Sequence, residues 1–421
     1  MQDSLQFKLD QLFQLRTRGI KPGLDRINQL LDFLEHPEKH YPIIHVAGTN
    51  GKGSTCRVVQ ALLSAAGYRV GLYTSPHLLR FSERIRIDDQ QITDDELLQL
   101  FTKFDQYMDQ SKATFFEITT AMALDYFFHK KVDIAVLEVG LGGRFDATNA
   151  VTPEIAVITS IGRDHEEFLG YSIQSIASEK AGILKENIPL VLARQTEPEA
   201  RKTIKKIAQI KKVKIISADD TCNIQINQVS LAGYSLNLQI QNQFFKNINF
   251  PLLGDHQLEN FATALSIITF FPKIKLNMEF INSGLKSLKN PARFELIDEN
   301  PAVIYDVAHN LSGIKVTIDC AKKIFSTADV FIAMKASKNL DNLGLLLKEL
   351  QGKVYISEIE GEDSKDSMEI YNQILRDIEK TRLVRNPDLD TLLQQAIKKR
   401  ERPLIILGSH YMAKNIYKYK K

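Results

Sequence analysis

The sequence predicts a doubly wound α/β fold with a mostly parallel sheet, followed by a smaller α/β domain. Three observations carry this. Short β-branched runs alternate with helix-length stretches through the first half, a glycine-rich loop follows the first run and opens a helix, and the same rhythm restarts near residue 302. The chain's 421 residues exceed the size at which one core stops growing, so two domains are expected, 1–290 and 291–421, joined near Lys289-Asn290-Pro291.

Taken in order, Ile43–Ala47, Arg69–Thr74, Val132–Val139 and Ile155–Ser160 read as buried strands of a parallel sheet. Between them, Ser54–Ala66 ends at Gly67, Thr93–Ser111 opens on a cap-like Thr-Asp-Asp-Glu, and Phe116–Lys130 is apolar along one face; all three are helix signals. Residues 223–249 change to alternating polarity with turn signals at Ala232-Gly233 and Gln241-Asn242, the pattern of a small antiparallel meander. Further strands are expected near Ala302–Asp306, Asp329–Met334, Lys353–Ser357 and Pro403–Gly408, separated by helices.

Composition narrows the class of function. With 44% hydrophobic and 25% charged residues and a net charge of only +3, the bulk electrostatics call for neither nucleic acid nor membrane. The basic stretch Ala200–Lys214 and the tail Lys414–Lys421 read as solvated faces in preference to phosphate-tracking surfaces. Cys56, Cys222 and Cys320 are odd in number and far apart, which excludes a disulfide framework or a paired metal motif and fits a reducing compartment. The start Met1-Gln2-Asp3-Ser4 lacks a basic-then-apolar signal, and no apolar run approaches the ~20 residues of a membrane span. A soluble, cytoplasmic, monomeric protein acting on small molecules is expected.

The chemistry is concentrated at the predicted strand ends, where open parallel sheets bind ligands. After Ile43–Ala47 comes Gly48-Thr49-Asn50-Gly51-Lys52-Gly53, a ready anion site because free N–H groups and the helix dipole both favour phosphate. In the common phosphate loop a hydroxyl after the lysine ligates Mg²⁺, but Gly53 stands there. Three other strand ends offer replacements: Ser75, Glu138 and His165, a hydroxyl, a carboxylate and an imidazole able to converge on one divalent cation. Each also has a plainer reading, Ser75 as a turn before Pro76, Glu138 as a partner of Arg144 or a helix cap, and His165 as a hydrogen-bonded loop residue. Lys180, in Ser178-Glu179-Lys180-Ala181-Gly182, reads without context as a surface lysine.

These residues resemble the folylpolyglutamate synthase/dihydrofolate synthase branch of the Mur-type ATP-dependent amide ligases. The resemblance runs through His45–Thr55, Ser75-Pro76-His77-Leu78, Phe116-Glu117, residues 137–144, Asp164-His165, residues 179–182, His256-Gln257, Arg293-Phe294 and residues 306–310. It implies a Mur-ligase-type central domain with a smaller Rossmann-like C-terminal domain, and a reaction in which ATP activates a substrate carboxylate as an acyl phosphate that L-glutamate displaces. Dihydropteroate and reduced folates are the implied acceptors. Carried over, Thr49, Asn50, Gly51, Lys52 and Gly53 wrap the phosphates. Ser75, Glu138 and His165 hold Mg²⁺, and Asn260, Arg293 and Asp306 contact the rest of ATP, placed between the two domains. Lys180 is implied to be carbamylated and to ligate a second Mg²⁺, with Lys52, Lys180 and His165 serving catalysis. Lys21-Pro22-Gly23-Leu24, Thr114-Phe115-Phe116-Glu117 and Phe145-Asp146-Ala147 match the pterin-facing segments, whose aromatic and carboxylate groups suit a flat, donor-rich ring.

The C-terminal part departs from the pattern. Ala333-Met334-Lys335-Ala336-Ser337-Lys338-Asn339 lacks the Asp-Lys-Asp of relatives, Leu311 stands where a proline is usual, Ala292 replaces a glycine, and Gly408-Ser409-His410-Tyr411 shifts an aromatic-histidine pair. Two alternatives therefore stay open. One is another Mur-type ligase, expected to carry an additional N-terminal domain where only residues 1–42 precede the first strand; the other is a non-catalytic ATP-binding protein.

Overall fold

The computed structural model describes residues 2–19, 21–110, 112–271, 274–338, 340–361 and 363–420, so Asn339 and the extreme tail residue Lys421 lie outside the described residues. The chain divides into two compact units: Met1–Gln225 with Leu238–Ile248 and Glu259–Leu288, and Ile226–Asn237 with Asn249–Leu258 and Lys289–Lys421.

The first unit is built on an eight-stranded sheet. Its strands are β1 (Ile43–Ala47), β2 (Val70–Tyr73), β3 (Ile85–Ile87), β4 (Gln90–Gln91), β5 (Ile134–Glu138), β6 (Ile155–Ile158), β7 (Leu190–Leu192) and β8 (Ile215–Ser217), in the order β4-β3-β2-β5-β1-β6-β7-β8. From β2 to β8 every pairing is parallel, while β3 and β4 add an antiparallel edge. All residues of β1, β2, β5 and β6 are buried, as continuous apolar runs require. The chain leaves β1 toward β2 on one side and later crosses to β6 on the other. The carboxyl ends of β1 and β6 therefore form the switch point at which such sheets open a crevice.

The predicted helices form at Lys52–Ala65, Asp94–Gln110 and Phe115–His129. The last differs in one respect: it is buried nearly all round instead of along one face, because the helices Gln2–Gln14, Asp25–Phe33 and Asp94–Gln110 and the strand β2 all pack against it. Polarity alone had no way to separate one covered face from several. The helix begins with a capping box in which Thr114 Oγ1 accepts from Glu117 N and Glu117 Oε2 accepts from Thr114 N. The basic stretch lies on the helix Pro198–Ile210, which buries Ala200, Ile204 and Ala208 and turns its lysines outward.

The expected meander is present as β9 (Cys222–Ser230), β10 (Gly233–Ile240) and β11 (Gln243–Phe250), a three-stranded sheet in the order β11-β10-β9. The second unit holds a six-stranded sheet of β12 (Glu295–Glu299), β13 (Ala302–Tyr305), β14 (Ala328–Ile332), β15 (Gln351–Ile356), β16 (Leu383–Arg385) and β17 (Leu404–Leu407), ordered β12-β13-β17-β14-β15-β16. Only β12 runs antiparallel to its neighbour. The strands β3, β4, β7, β8, β12 and β16 had no separate signal in the sequence. Most are short edge or near-edge strands with little apolar pattern, although β7 is fully buried. Ala292, at the position where relatives are expected to have glycine, has φ +56°, the left-handed region in which a Cβ is strained. Among the described residues no helix is long and apolar enough to cross a membrane, and all three cysteines are free and buried.

Close approach sets one position in the main sheet. A Cβ on Gly71 in β2 would lie 2.8 Å from two atoms of the Phe127 ring, which has no exposed surface and no room to retreat. Gly71→Ala is expected to destabilise the first unit by about 1–3 kcal/mol, the usual cost of overpacking. Urea unfolding followed by circular dichroism checks this, and an unchanged midpoint would show that the helix gives way freely.

Candidate active site

The loop after β1 is shaped by its neighbours before any ligand is considered. Thr49 N and Asn50 N both donate to Ser160 O, at 2.9 and 3.3 Å, and Thr49 Oγ1 donates to Gly162 O while accepting from Gly162 N, each at 3.1 Å. The turn is thereby fastened to the end of β6, and the helix Lys52–Ala65 starts directly behind it. Gly51 has φ +87°, and a Cβ there would fall 2.2 Å from Asn260 Oδ1, so the position requires glycine twice over. Asn260 is itself buried and also meets Thr55 Oγ1 at 3.5 Å, which puts this sequence-predicted residue beside the loop.

Gly53, where the common loop has a hydroxyl, faces the Glu138 carboxylate: a Cβ there would lie 3.4 Å from both of its oxygens, an ordinary van der Waals contact. Glu138, the last residue of β5, is buried, and its Oε2 accepts from Ser75 N at 3.0 Å, so the ends of β2 and β5 present a hydroxyl residue and a carboxylate together. The pairing of Glu138 with Arg144 does not form; Arg144 instead pairs with Glu179 at 3.1 Å.

Two lysines meet at one carbonyl. Lys52 Nζ donates to Gly48 O and Thr49 O at 3.1 and 3.2 Å, and Lys180 Nζ donates to Gly48 O at 2.8 Å. Lys180 is 5% exposed, so it is a buried lysine and not a surface one. Burial, and then the charge of Lys52, push its pKa down to about 7, against partial support from Asp164 and Asp146. His165 is exposed, at φ +51° in the left-handed region, with Nε2 3.9 Å from Oδ2 of Asp164, the residue whose charge reaches Lys180. Among the described residues no three His, Cys, Asp or Glu side chains cluster as a ready cation site. The oxygen donors Ser75 and Glu138 are of the type a hard cation takes.

The three segments expected to face a pterin are brought together by packing: the helix Asp25–Phe33 touches both the helix Phe115–His129 and the turn Ala147–Ala150. Arg26, which sequence reasoning missed, ties the first two. Its Nη2 donates to Lys21 O at 2.7 Å, and its Nε donates to both Glu117 oxygens at 3.0 and 3.1 Å. Pro22 is exposed and Leu24 packs on the core, with Gly23 between them at φ +118°. Phe115 stacks on Phe13 at 5.8 Å, Phe116 leans on Tyr73 at 5.9 Å and covers Gly140, and Phe145 is exposed. Asp146 and Ala147 are buried, and Asp146 has intrachain donors on both oxygens: Leu141 N at 2.8 Å on one, Thr148 N at 3.0 Å and Thr148 Oγ1 at 2.5 Å on the other.

Two arginines were also missed, the buried Arg84 and the half-buried Arg57. Arg84 donates to His77 Nδ1 at 2.8 Å and lies against the Phe81 and Phe115 rings; burial lowers its pKa and that of Arg57. The available signal for Arg57 was a cation set directly between Cys56 and the apolar pair Val58-Val59. In the second unit, Asp306 is buried and accepts from Phe294 N and Ala308 N at 2.8 Å each, while Arg293 is exposed and close enough to act on its charge. Of the divergent C-terminal segment, Lys335 lies over the Tyr411 ring at 4.5 Å.

Residues 46–268 match the Mur ligase middle domain. The chain is 40% identical over 332 residues to the dihydrofolate synthase/folylpolyglutamate synthase of Bacillus subtilis, covering 76% of this chain and 77% of that one. Among solved structures it is similar to that of Escherichia coli FolC in complex with DHPP and ADP, with a TM-score of 0.86, 28% identity and coverage of 98% and 97%. It is also similar to the bifunctional folylpolyglutamate synthase/dihydrofolate synthase of Yersinia pestis complexed with AMPPNP and Mn ion, with a TM-score of 0.85, 31% identity and coverage of 97% and 96%. By the match to the middle domain over more than half its length and by its 40% identity to the Bacillus subtilis enzyme, the chain belongs to the Mur ligase family, in the dihydrofolate synthase/folylpolyglutamate synthase branch.

Proposed function

We propose that this protein is an ATP-dependent amide ligase that adds L-glutamate to dihydropteroate and to reduced folates through an acyl phosphate. The observation that carries the reading is the meeting of Lys52 and Lys180 on the Gly48 carbonyl, in the glycine-rich loop that opens the helix Lys52–Ala65. Names of relatives, which include both synthase activities, support it.

In this reading the acceptor's carboxylate oxygen attacks the γ-phosphorus of ATP, the bond to the bridging oxygen breaks, and ADP leaves. The amine of L-glutamate then attacks the acyl carbon, and phosphate departs with the carbon–oxygen bond as the amine loses its proton. Thr49, Asn50, Gly51 and Gly53 give the loop its shape, and the first-turn N–H groups of the helix together with Lys52 receive the β- and γ-phosphates. Asn260 borders the loop and would bound the nucleotide there. Ser75, Glu138 and His165 would hold one Mg²⁺ and a carbamylated Lys180 would be a ligand of a second, and the ions would neutralise charge on the transferring phosphoryl group. For Lys180 to serve as an anionic ligand, its neutral amine must add to CO₂ and release a proton, and an amine with a pKa of about 7 is neutral in useful amount at physiological pH. Lys21–Leu24, Thr114–Glu117 and Phe145–Ala147 would border the pterin, with Asp146 meeting it alongside its internal partners. The protein would act as a monomer in the cytoplasm, without nucleic-acid or membrane partners.

The direct experiment offers purified protein ATP, Mg²⁺ and L-glutamate with either dihydropteroate or a reduced folate, and reads products by mass. One added glutamate on each acceptor is expected; product from neither would remove the reading. Lys52→Ala should lower turnover with both acceptors by about 10²–10³, the typical loss when one well-placed charge contact to the transition state is removed. Near-normal rates in that variant would place the phosphates elsewhere.

Lys180 allows a measurement independent of activity. With ¹³C-bicarbonate, a carbamate carbon resonance is expected in wild type and absent in Lys180→Arg. Its intensity should grow as pH rises through about 7, because the neutral amine that reacts is the form favoured above its pKa. A spectrum without that resonance across this range would show that Lys180 works as an amine.

A further inference from the structure

β1 is apolar except for His45, and that side chain is completely buried. Its Nε2 lies 2.8 Å from Thr148 Oγ1, and Thr148 Oγ1 lies 2.5 Å from Asp146 Oδ1. The chain of contacts therefore runs from the strand that carries the phosphate loop to the loop after β5 that carries Phe145 and Asp146.

The proton positions follow from counting. A hydroxyl has one hydrogen to give. Asp146 Oδ1 already accepts from Thr148 N and Oδ2 from Leu141 N, the arrangement of a carboxylate with donors on both oxygens, so the Thr148 hydrogen goes to Oδ1 as well. Thr148 Oγ1 is then an acceptor toward the ring, and His45 must donate through Nε2–H. This assigns Nδ1 as the unprotonated nitrogen, in agreement with its burial without any partner: an unpaired acceptor is tolerated better than an unpaired N–H. The ring is held neutral because burial, reinforced by Lys185, lowers its pKa to about 3.

We infer that His45 is a positioning residue for the acceptor: through the Thr148 hydroxyl it fixes the rotamer of Asp146 and holds the acceptor segment in register with the strand bearing the phosphate loop. The reacting carboxylate and the γ-phosphate must approach to bonding distance, so such a register has kinetic value. The inference rests on the reading of Asp146 as an acceptor contact.

The test uses the full chain with Thr148→Val, Thr148→Ser, His45→Leu, His45→Gln and Asp146→Asn, measuring KM for dihydropteroate and for ATP. Thr148→Val and His45→Leu should raise the dihydropteroate KM about tenfold, the effect of one lost hydrogen bond, and leave the ATP KM within about twofold. Thr148→Ser keeps the hydroxyl and His45→Gln keeps a donor at the Nε2 position, so both should stay within about threefold of wild type. A parallel rise in both KM values with Thr148→Val, or equal impairment of Thr148→Ser, would make the chain a general packing feature and overturn the inference. Asp146→Asn separates the two layers. An unchanged dihydropteroate KM there removes the acceptor role of Asp146 and the inference with it. A large rise there with normal behaviour of Thr148→Val keeps that role and removes the relay. If His45→Leu fails to fold, the Thr148 pair decides alone.

Discussion

Two backbone hydrogen bonds, from Thr49 N and Asn50 N to the single carbonyl of Ser160, determine where everything else at the mouth of the larger sheet can stand. They exist because β1 and β6 are parallel neighbours in register, with Ala47 opposite Ile158, so the residues leaving both strands emerge side by side. A glycine-bearing loop is costly to order. Fastened this way, it is ordered before a ligand arrives, and the helix behind it keeps its unsatisfied first-turn N–H groups and its positive dipole end at one fixed place.

The charges around the loop are arranged for an anion that brings its own counter-charge. Lys52 and Lys180 share the Gly48 carbonyl, and burial, followed by the charge of Lys52, lowers the pKa of Lys180. On the adjacent strand ends Glu138 lies within electrostatic reach of the half-buried Arg57 and the buried Arg84. A phosphate chain with a divalent cation is complementary to such a set, since it meets the cations with negative oxygen and the carboxylate with positive metal. Gly53 belongs to the same arrangement, since a side chain after Lys52 would project toward this carboxylate.

The carboxylates proposed to face the acceptor already have structural partners. Glu117 is engaged by Arg26 and by the N-terminus of its own helix, and Asp146 caps the turn Ala147–Ala150 while receiving Leu141 N. Carboxylates of this kind hold a pocket's walls in place as much as they greet a ligand. Their burial raises the cost of losing them, because each would leave donors without acceptors.

The sequence by itself determined the parallel architecture, since the runs at β1, β2, β5 and β6 are apolar without alternation and only strands covered on both faces read that way. It also determined which polar residues stand at the strand ends, because strand, loop and helix follow one another locally. Tertiary structure alone decided which partners those residues take: that Arg144 pairs with Glu179, that Arg26 binds Glu117, that Lys180 is buried against Gly48, and that His45 reaches Thr148. These contacts join segments about 35 to 130 residues apart, and no local propensity encodes such distances. His45 shows the boundary well: a polar residue inside an all-buried strand announces that it has a partner, and only the packed sheet says which one.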